Sequence, residues 1–312
     1  MNNNQKYNRK KIHGFEMFLR TDDPGISSLL SKPKWHRKWH REPEFMDVIE
    51  SEVSEGMTIL DLGANIGYVT LYFAKILNGN GSIYAVEPDS NNFITLNKNI
   101  LANNLGSLVS TFHAAIGGIT GTATLFKSEH SNMHSIITDG ANNSNTEDVN
   151  CFTIDDFIKD KDCPEFIKMD IEGAEVDVIK GMNTFLKMDK KIKILMELHP
   201  DKYDSTSFSD QAEKLFKHNF YPKIVISAST SKPKPFLDLG YYPEKEYKTG
   251  KWSRGIYKNV NCEDFIKLVS NSDEINVRYP FSMYLKRPWL IFGKVFTTKK
   301  IVRAVLFEKK LD

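Results

Sequence analysis

Residues 59–67 read Ile59-Leu60-Asp61-Leu62-Gly63-Ala64-Asn65-Ile66-Gly67, an apolar run that ends in a short loop with two glycines. A buried strand, a glycine turn and a following helix are typical of nucleotide-cofactor sites in parallel sheets. A second apolar run, Ser82-Ile83-Tyr84-Ala85-Val86-Glu87-Pro88, ends in a carboxylate twenty residues after Gly67. At that spacing an acid accepts hydrogen bonds from ribose hydroxyls. Together the two runs predict a cofactor site built on a βαβ unit.

The middle residue of the loop between Gly63 and Gly67, residue 65, narrows the class of cofactor. Dinucleotide sites use Gly-x-Gly-x-x-Gly, in which the second glycine lets the backbone approach a pyrophosphate. Asn65 stands at that position here. Its side chain would crowd a diphosphate but suits S-adenosylmethionine, so we expect that cofactor rather than a nicotinamide dinucleotide. Gly63 and Gly67 then allow a tight loop, and we expect Asp61 to bind the ammonium group of the cofactor, directly or through water.

Strand and helix signals alternate from residue 57 onward, and this alternation predicts an α/β fold with a mainly parallel sheet. We expect one domain, residues 45–260, between a basic N-terminal extension (1–44) and a basic, apolar C-terminal extension (261–312). The segments predicted as strands are 58–62, 82–87, 108–113, 122–127, 165–170, 192–198, 223–226 and 255–260. The segments predicted as helices are 68–77, 91–102, 153–159, 174–180 and 209–219.

Four sequence blocks carry a resemblance to a known family. They are Asp61-Leu62-Gly63-Ala64-Asn65-Ile66-Gly67, Val86-Glu87-Pro88, Ile167-Lys168-Met169-Asp170-Ile171-Glu172-Gly173-Ala174-Glu175 and Met196-Glu197-Leu198. In this order they resemble the FkbM-type methyltransferases, over residues 57–199, and the third block is the most specific. The resemblance implies a class I, Rossmann-like methyltransferase fold: a mainly parallel seven-stranded sheet with helices on both faces. It further implies S-adenosylmethionine as cofactor and O-methylation of a sugar, glycan or secondary-metabolite hydroxyl.

The resemblance also assigns residues to parts of the cofactor. The glycine loop lines the methionine part, Glu87 holds the ribose, Ala115 lies beside the adenine, and Asp170 points toward the sulfonium and the acceptor. The full set of predicted cofactor-binding residues is Asp61, Gly63, Ala64, Asn65, Gly67, Glu87, Pro88, Ala115 and Asp170.

Methyl transfer to a hydroxyl needs alignment for in-line displacement and a base for the proton. The candidate catalytic residues are Asp170, Glu172 and His199, which follow predicted strand ends and therefore share one crevice. His199 titrates near neutrality, which suits a base, although a structural histidine at a strand end fits the sequence as well. Glu172 alternatively opens the next helix, where the helix dipole favours a carboxylate. These side chains also suit a divalent cation, but their spacing alone is only suggestive, so we predict no metal site.

Two stretches fall outside the alternating pattern. Residues 129–150 are rich in Ser, Asn and Asp, which predicts either a substrate loop or a disordered insertion. By resemblance, His134 in this stretch covers the cofactor. Residues 35–41 place two tryptophans and two histidines at i, i+4, which predicts packing against the body or, alternatively, contact with substrate or membrane.

The net charge of +2 is unevenly distributed. Residues 1–44 contain ten Lys and Arg against five Asp and Glu, and residues 281–312 contain eight against two. Basic ends on an acidic body favour contact with an anionic surface, either a membrane, a lipid-linked substrate or nucleic acid, and a solvated tail fits the N-terminal residues equally well. The apolar tail, 281–307, is too interrupted by charges to span a bilayer, so it predicts an interfacial segment or a docking helix of a homo-oligomer.

The N-terminal residues and the cysteines bear on localisation, and two motifs bear on rival functions. Residues 1–11 lack an apolar signal core, and Cys151, Cys163 and Cys262 show no disulfide or zinc spacing, so we expect a cytoplasmic protein with peripheral membrane contact. Nucleic-acid base methylation is disfavoured, because no Asp/Asn-Pro-Pro-aromatic block is present and Cys163-Pro164 reverses the Pro-Cys order. RNA ribose methylation and a non-catalytic cofactor-binding scaffold remain as alternatives.

Overall fold

The computed structural model describes residues 6–32, 41–128, 145–200, 202–203, 205–249, 252–270, 273–276, 296–299 and 301–311. Three predicted features therefore lie outside the described residues. They are the aromatic and histidine pairs of residues 35–40, His134 with the part of its polar stretch between 129 and 144, and the tail segment 281–295.

Sixteen strands and nine α-helices are formed by the described residues. The strands are β1 (Tyr7–Ile12), β2 (Phe15–Arg20), β3 (Thr58–Leu62), β4 (Ser82–Glu87), β5 (Val109–His113), β6 (Ala115–Ile116), β7 (Gly121–Phe126), β8 (Thr146–Phe152), β9 (Phe166–Met169), β10 (Lys193–Glu197), β11 (Phe220–Ser227), β12 (Lys245–Thr249), β13 (Trp252–Lys258), β14 (Asp273–Asn276), β15 (Phe296–Lys299) and β16 (Val302–Lys309). The helices are α1 (Ile26–Ser31), α2 (Pro43–Glu52), α3 (Tyr68–Leu77), α4 (Ser90–Ala102), α5 (Ile154–Phe157), α6 (Glu175–Lys180), α7 (Ser205–Lys217), α8 (Lys234–Asp238) and α9 (Cys262–Ser270).

The central sheet has nine described strands in the order β12-β13-β11-β16-β10-β9-β3-β4-β5. Strands β5, β4, β3, β9 and β10 pair in parallel. Strand β16 is antiparallel to both β10 and β11, and β13 is antiparallel to both β11 and β12. Seven of these nine strands therefore run in one direction, which confirms the predicted α/β fold with a mainly parallel sheet. The count is nine rather than seven because the hairpin β12–β13 extends one edge.

Each face of the sheet carries its own hydrophobic core. Successive residues of β3 point to opposite faces: Leu60 packs in the core formed with α6, α7 and α9, whereas Ile59 packs in the core formed with α2, α3 and α4. The helices thus cover both faces, as predicted. With both faces covered, the carboxyl ends of the parallel strands stay available for a ligand.

The C-terminal segment is part of the sheet rather than an appendage. Strand β16 lies between β10 and β11 and pairs with both of them. Its side chains Val305, Leu306 and Phe307 are completely buried. The predicted C-terminal extension from residue 261 is therefore corrected, and the interpretation of this part of the tail as an interfacial or docking helix was wrong.

Burial of β16 leads to a stability prediction. Phe307 packs edge-on against Phe265 with ring centroids 5.4 Å apart and is fully buried. We expect Phe307→Ala to lower the free energy of unfolding by about 3–5 kcal/mol, because it leaves a cavity in the core. Leu311, four residues later, is 51% exposed, and Leu311→Ala should change stability by no more than about 0.5 kcal/mol. Equal denaturation midpoints for the two variants would contradict this placement of β16.

The N-terminal segment also belongs to the packed body. The hairpin β1–β2 lies on α4, where Asn99 Oδ1 accepts a hydrogen bond from Phe18 N at 2.6 Å and Asn103 Oδ1 accepts one from Glu16 N at 2.9 Å. Met17 and Leu19 are completely buried. The predicted free basic extension of residues 1–44 is thus corrected for its described part. No helix within the described ranges is long and apolar enough to cross a membrane.

Candidate active site

The loop after β3 is pressed against the end of β9. Gly63 has φ +73°, and a Cβ at this position would stand 2.0 Å from the main-chain oxygen of Asp170. No side chain fits there, so a glycine is required by the close approach as well as by the backbone conformation. Gly67, at φ +90°, begins α3 and packs against Leu96. The loop therefore holds a defined shape at the sheet edge.

Glu87 joins this loop to the end of β4. One carboxylate oxygen accepts a hydrogen bond from Asn65 N at 2.8 Å, and the other accepts from Asp89 N at 3.0 Å and Asn92 Nδ2 at 3.3 Å. Asn65 has φ +52°, which turns its amide toward Glu87. Burial raises the pKa of Glu87 to about 7. A carboxylate offers about four acceptor positions, and three are used here, so one remains for a ribose hydroxyl.

A cavity of about 410 Å³ opens at the carboxyl ends of β3, β4, β9 and β10. This is the edge at which a cofactor is expected in a parallel α/β sheet. Most of the predicted site residues line it: Gly63, Ala64, Asn65, Glu87, Pro88, Ala115, Asp170, Glu172 and His199. Gly67 is not part of the lining; its left-handed backbone conformation at the start of α3 shapes the loop that lines the cavity.

Asp61 lies beneath the cavity rather than in its wall. Its side chain is completely buried, accepts a hydrogen bond from Thr70 Oγ1 at 2.7 Å and lies 3.3 Å from Lys168 Nζ. The ammonium group that Asp61 pairs with is therefore that of Lys168. The prediction that Asp61 binds the ammonium group of the cofactor, directly or through water, stays a prediction.

Lys168, on β9, links that strand to the end of β3 through hydrogen bonds and an ion pair. Its Nζ donates to the main-chain oxygens of Leu62 at 3.2 Å and Gly63 at 2.9 Å, and lies 4.0 Å from Asp170. Burial opposes its charge, but Asp61 and Asp170 outweigh that cost and raise the pKa of Lys168. Sequence reasoning missed this role. The alternation Lys-x-Asp within a strand was the available signal, since it places both side chains on one face.

Asp170, Glu172 and His199 meet on the floor of the cavity. His199 Nε2 lies 3.6 Å from Glu172 Oε2 and 3.9 Å from Asp170 Oδ1. His199 Nδ1 lies 2.7 Å from Glu175 Oε1, a hydrogen bond to a completely buried carboxylate. Glu172 has φ +50°, an uncommon conformation for a side-chain-bearing residue and one that clusters at functional sites. The structure thus brings together all three predicted catalytic residues.

Burial governs the protonation of this cluster. Burial, with smaller contributions from Asp170 and Glu197, raises the pKa of Glu172 to about 7 although the nearby His199 opposes the shift. Burial and Glu197 likewise raise the pKa of Asp170. A carboxyl with a pKa near 7 is matched to proton transfer at neutral pH.

Comparison with known proteins identifies the family. The family model described as "Methyltransferase FkbM domain" matches residues 61–222, just over half of the chain. The chain belongs to the FkbM methyltransferase family. Membership confirms the predicted enzyme class for this domain, an S-adenosylmethionine-dependent methyltransferase. A comparison with curated proteins finds no match.

Several solved structures are similar to parts of this chain. A methyltransferase FkbM from Methylobacillus flagellatus KT is 20% identical with a TM-score of 0.42, over 66% of this chain and 44% of that chain. Precorrin-6y C5,15-methyltransferase from Geobacter metallireducens GS-15 is 14% identical with a TM-score of 0.39, over 71% and 89%. M. jannaschii TYW2 in complex with AdoMet is 14% identical with a TM-score of 0.36, over 83% and 90%. The alignment thus spans less than half of the Methylobacillus flagellatus chain.

Residues on both sides of the matched FkbM domain complete the cavity wall. Arg303, from β16, pairs with Glu42 and, at 3.2 Å, with Glu197, and Arg41 lies 3.6 Å from Glu42. Burial opposes the charge of Arg303, but Glu197 and Glu42 raise its pKa. Sequence reasoning missed these residues. The one available signal was the run of β-branched residues around Arg303, which is typical of a buried strand.

Glu87 supports a prediction for the pH dependence of cofactor binding in this FkbM domain. Its folded-state pKa of about 7 means that the group is ionised above that pH and protonated below it. Hydrogen bonds to an ionised carboxylate are stronger than those to a neutral one. We expect the Kd of S-adenosylhomocysteine to rise roughly three- to tenfold from pH 8 to pH 6 in calorimetric titrations. Glu87→Gln should bind weakly and lose this dependence; an unchanged pH profile in that variant would remove Glu87 from the site.

Proposed function

We propose that this protein transfers the methyl group of S-adenosylmethionine to a hydroxyl of a sugar, glycan or similar polyhydroxylated small molecule. The observation that carries the proposal is the chemical division of the cavity. One side holds the glycine loop, Glu87 and the apolar residues Ala115 and Leu125, which suits a nucleoside with a small amino-acid arm. The other side is lined by ionic groups.

The ionic side is suited to a polar acceptor. Arg41, Glu42, Glu197 and Arg303 line it. Guanidinium groups donate hydrogen bonds and carboxylates accept them, whereas a hydroxyl does both. An acceptor with several hydroxyls can therefore add hydrogen bonds to these paired groups, while an apolar acceptor would displace water from them and offer no hydrogen bond in return. The prediction of a sugar or glycan acceptor is retained for this reason.

The cluster on the cavity floor provides the chemistry for a hydroxyl acceptor. The acceptor oxygen attacks the methyl carbon, the bond from carbon to sulfur breaks, and S-adenosylhomocysteine leaves. The hydroxyl proton passes to a base, for which Glu172 and His199 are the candidates. Asp170, which follows β9 and lies 3.9 Å from His199 Nε2 in the cavity lining, is the residue to which we assign alignment of the acceptor. Alignment of this kind supplies much of the rate in a displacement whose donor is already activated.

The rival of RNA ribose methylation fits the cavity poorly. Carboxylates outnumber cations in its lining, since Glu42, Glu87, Asp170, Glu172 and Glu197 stand against Arg41, Lys168 and Arg303. A phosphate backbone is attracted by an excess of positive charge, so this surface disfavours it. A salt-sensitive complex with RNA that also supports methyl transfer would restore the alternative.

Two measurements test the proposal. Thermal shift and calorimetry with S-adenosylhomocysteine, with NAD in parallel, test the cofactor; a ligand at 100 times its Kd stabilises a protein by about 2.7 kcal/mol. Formation of S-adenosylhomocysteine is then followed with neutral glycans and polyols as acceptors. Stabilisation by S-adenosylhomocysteine together with turnover on a glycan supports the proposal. A response to NAD alone overturns it. Binding of S-adenosylhomocysteine without turnover favours a non-catalytic cofactor-binding protein, and silence toward both ligands favours a scaffold that binds neither.

Contact with membranes is a further part of the proposal. Exposed basic residues at the two ends, such as Arg9 with a side chain 65% exposed and Lys310, would attract an anionic membrane surface that carries lipid-linked acceptors. Co-sedimentation with anionic vesicles that weakens at high salt, and no co-sedimentation with neutral vesicles, is the expected result.

A further inference from the structure

We propose that Asp170, Glu172 and His199 bind one divalent cation of the Mg²⁺ and Mn²⁺ class. Their spacing in the sequence predicted no metal site, and it is the folded arrangement that points to one. The inference rests on the proposed function for the role of the cation, but the binding itself is independent of that function.

The distances within the cluster match a coordination sphere. One ligand atom from each of the three residues lies within 4.8 Å of the other two, and His199 Nε2 lies 3.6 Å from Glu172 Oε2. Two ligands of one cation at metal–oxygen distances of about 2.0–2.6 Å stand at most about 4–5 Å apart. Two carboxylates with one imidazole offer a mixed oxygen and nitrogen set, which Mn²⁺ accepts and Mg²⁺ shares in part.

A buried carboxylate behind His199 gives an independent indication. Glu175 is completely buried, its Oε1 lies 2.7 Å from His199 Nδ1, and its Oε2 has no hydrogen-bond partner among the described residues. Metal-binding histidines commonly donate the second ring N–H to a carboxylate, which holds the other nitrogen toward the metal. An orphaned carboxylate oxygen away from water is costly. A cation bound to the same imidazole would reduce that cost.

The charge balance around the cluster also favours a cation. The network that includes His199 contains seven carboxylates and four Lys or Arg side chains. If all of these groups and His199 are ionised, the network carries two more negative than positive charges, an imbalance that a divalent cation would offset. The carboxylates are Glu42, Glu44, Asp61, Asp170, Glu172, Glu175 and Glu197, and the cations are Arg41, Lys168, Arg254 and Arg303.

A cation at this position would act on the acceptor. Bound to the acceptor oxygen, it lowers the pKa of the hydroxyl, so the proton can leave to solvent water as the oxygen attacks the methyl carbon. His199 would then be a ligand and not the base. The cation would also hold the acceptor next to Asp170, in line with the sulfonium.

Titration with Mn²⁺ tests the site directly. After dialysis against EDTA and removal of the chelator, binding of Mn²⁺ alone is measured from the electron paramagnetic resonance signal of the free ion, with Mg²⁺ as competitor. We expect one Mn²⁺ per chain. Glu172→Gln and His199→Ala should each weaken binding at least tenfold, and Glu175→Gln, which keeps the side-chain shape, by about 10- to 100-fold.

The control variant is Asp177→Asn, whose carboxylate pairs with Lys180 on the exposed face of α6 and takes no part in the cavity lining. It should bind Mn²⁺ as the wild type does. Far-ultraviolet circular dichroism and a cooperative thermal transition show that each variant is folded, whether or not it binds S-adenosylhomocysteine. Absence of a stoichiometric Mn²⁺ site in the wild type, or equal affinity in folded Glu172→Gln, overturns the inference. A wild type that binds S-adenosylhomocysteine but not Mn²⁺ would reject the metal site alone. A wild type that binds Mn²⁺ but not S-adenosylhomocysteine would reject the proposed function alone.

Discussion

Replacing Asp170 with asparagine is expected to lower the rate constant of methyl transfer by roughly 10²- to 10⁴-fold. The substitution keeps the size of the side chain and removes only its charge. Asp170 follows β9, lines the cavity and lies 3.9 Å from His199 Nε2. In the proposed function its carboxylate aligns the acceptor or holds a cation beside it. The loss should therefore fall on kcat, because the cofactor loop and Glu87 are untouched.

Single-turnover measurement of S-adenosylhomocysteine formation, beside calorimetric binding of S-adenosylhomocysteine, separates the two effects. The binding constant should change by less than about fivefold. Asp177→Asn, on the exposed side of α6, is the matched control and should retain full activity. Turnover equal to that of the wild type would exclude the proposed role. A parallel loss of S-adenosylhomocysteine binding would instead assign Asp170 to the cofactor.

The second large effect is expected at Gly63. An alanine there would place its Cβ 2.0 Å from the main-chain oxygen of Asp170, and the backbone stands at φ +73°. Overpacking costs about 1–3 kcal/mol and a left-handed conformation costs an amount of the same order. We expect Gly63→Ala to lower the free energy of unfolding by at least about 3 kcal/mol. Because the clash is with rigid backbone, the loop must move away from β9, and S-adenosylhomocysteine binding should weaken as well.

Gly79 is the matched control for this substitution. Its φ is +86°, and nothing lies within 4 Å of a Cβ built on it. Gly79→Ala should therefore cost only the conformational part, about 1–2 kcal/mol, and leave cofactor binding unchanged. The difference between the denaturant midpoints of the two variants measures the contact with Asp170. Equal midpoints would mean that the loop does not approach β9 as closely as described.

Much of the part of the cavity that is formed by the glycine loop and Glu87 could be predicted from local sequence. The predicted strands 58–62 and 82–87 coincide with β3 and β4, and the predicted strand 192–198 extends β10 by one residue at each end. Each is a short apolar run that ends at a turn residue or an acid, so its position depends on neighbouring residues alone. The location of Glu87 at the cavity follows from that, since it is the last residue of its strand.

The ionic side of the cavity, with Asp170, Glu172, His199 and Arg303, was only partly predictable. Asp170, Glu172 and His199 follow strand ends and could be grouped from topology. Arg303 could not, because its place depends on the antiparallel pairing of β16 with β10 and β11, strands that come more than 70 residues earlier in the chain. Such pairing satisfies the backbone N–H and C=O groups at the edges of strands, and the local pattern of apolar residues does not indicate which strands will pair.

By itself, the sequence determined the order of most strands and helices from β3 to β11, the glycine loop and the strand-end positions of Glu87, Asp170 and His199, because these depend on short-range patterns of burial and turn formation. The tertiary structure decided which charged groups meet. It paired Asp61 with Lys168 beneath the cavity, put Glu175 behind His199 and brought Arg303 to Glu197. These contacts join residues 24 to 107 positions apart. Partners at such separations are selected by the packing of the whole sheet, since a buried charge is stable only where the fold supplies its counterpart.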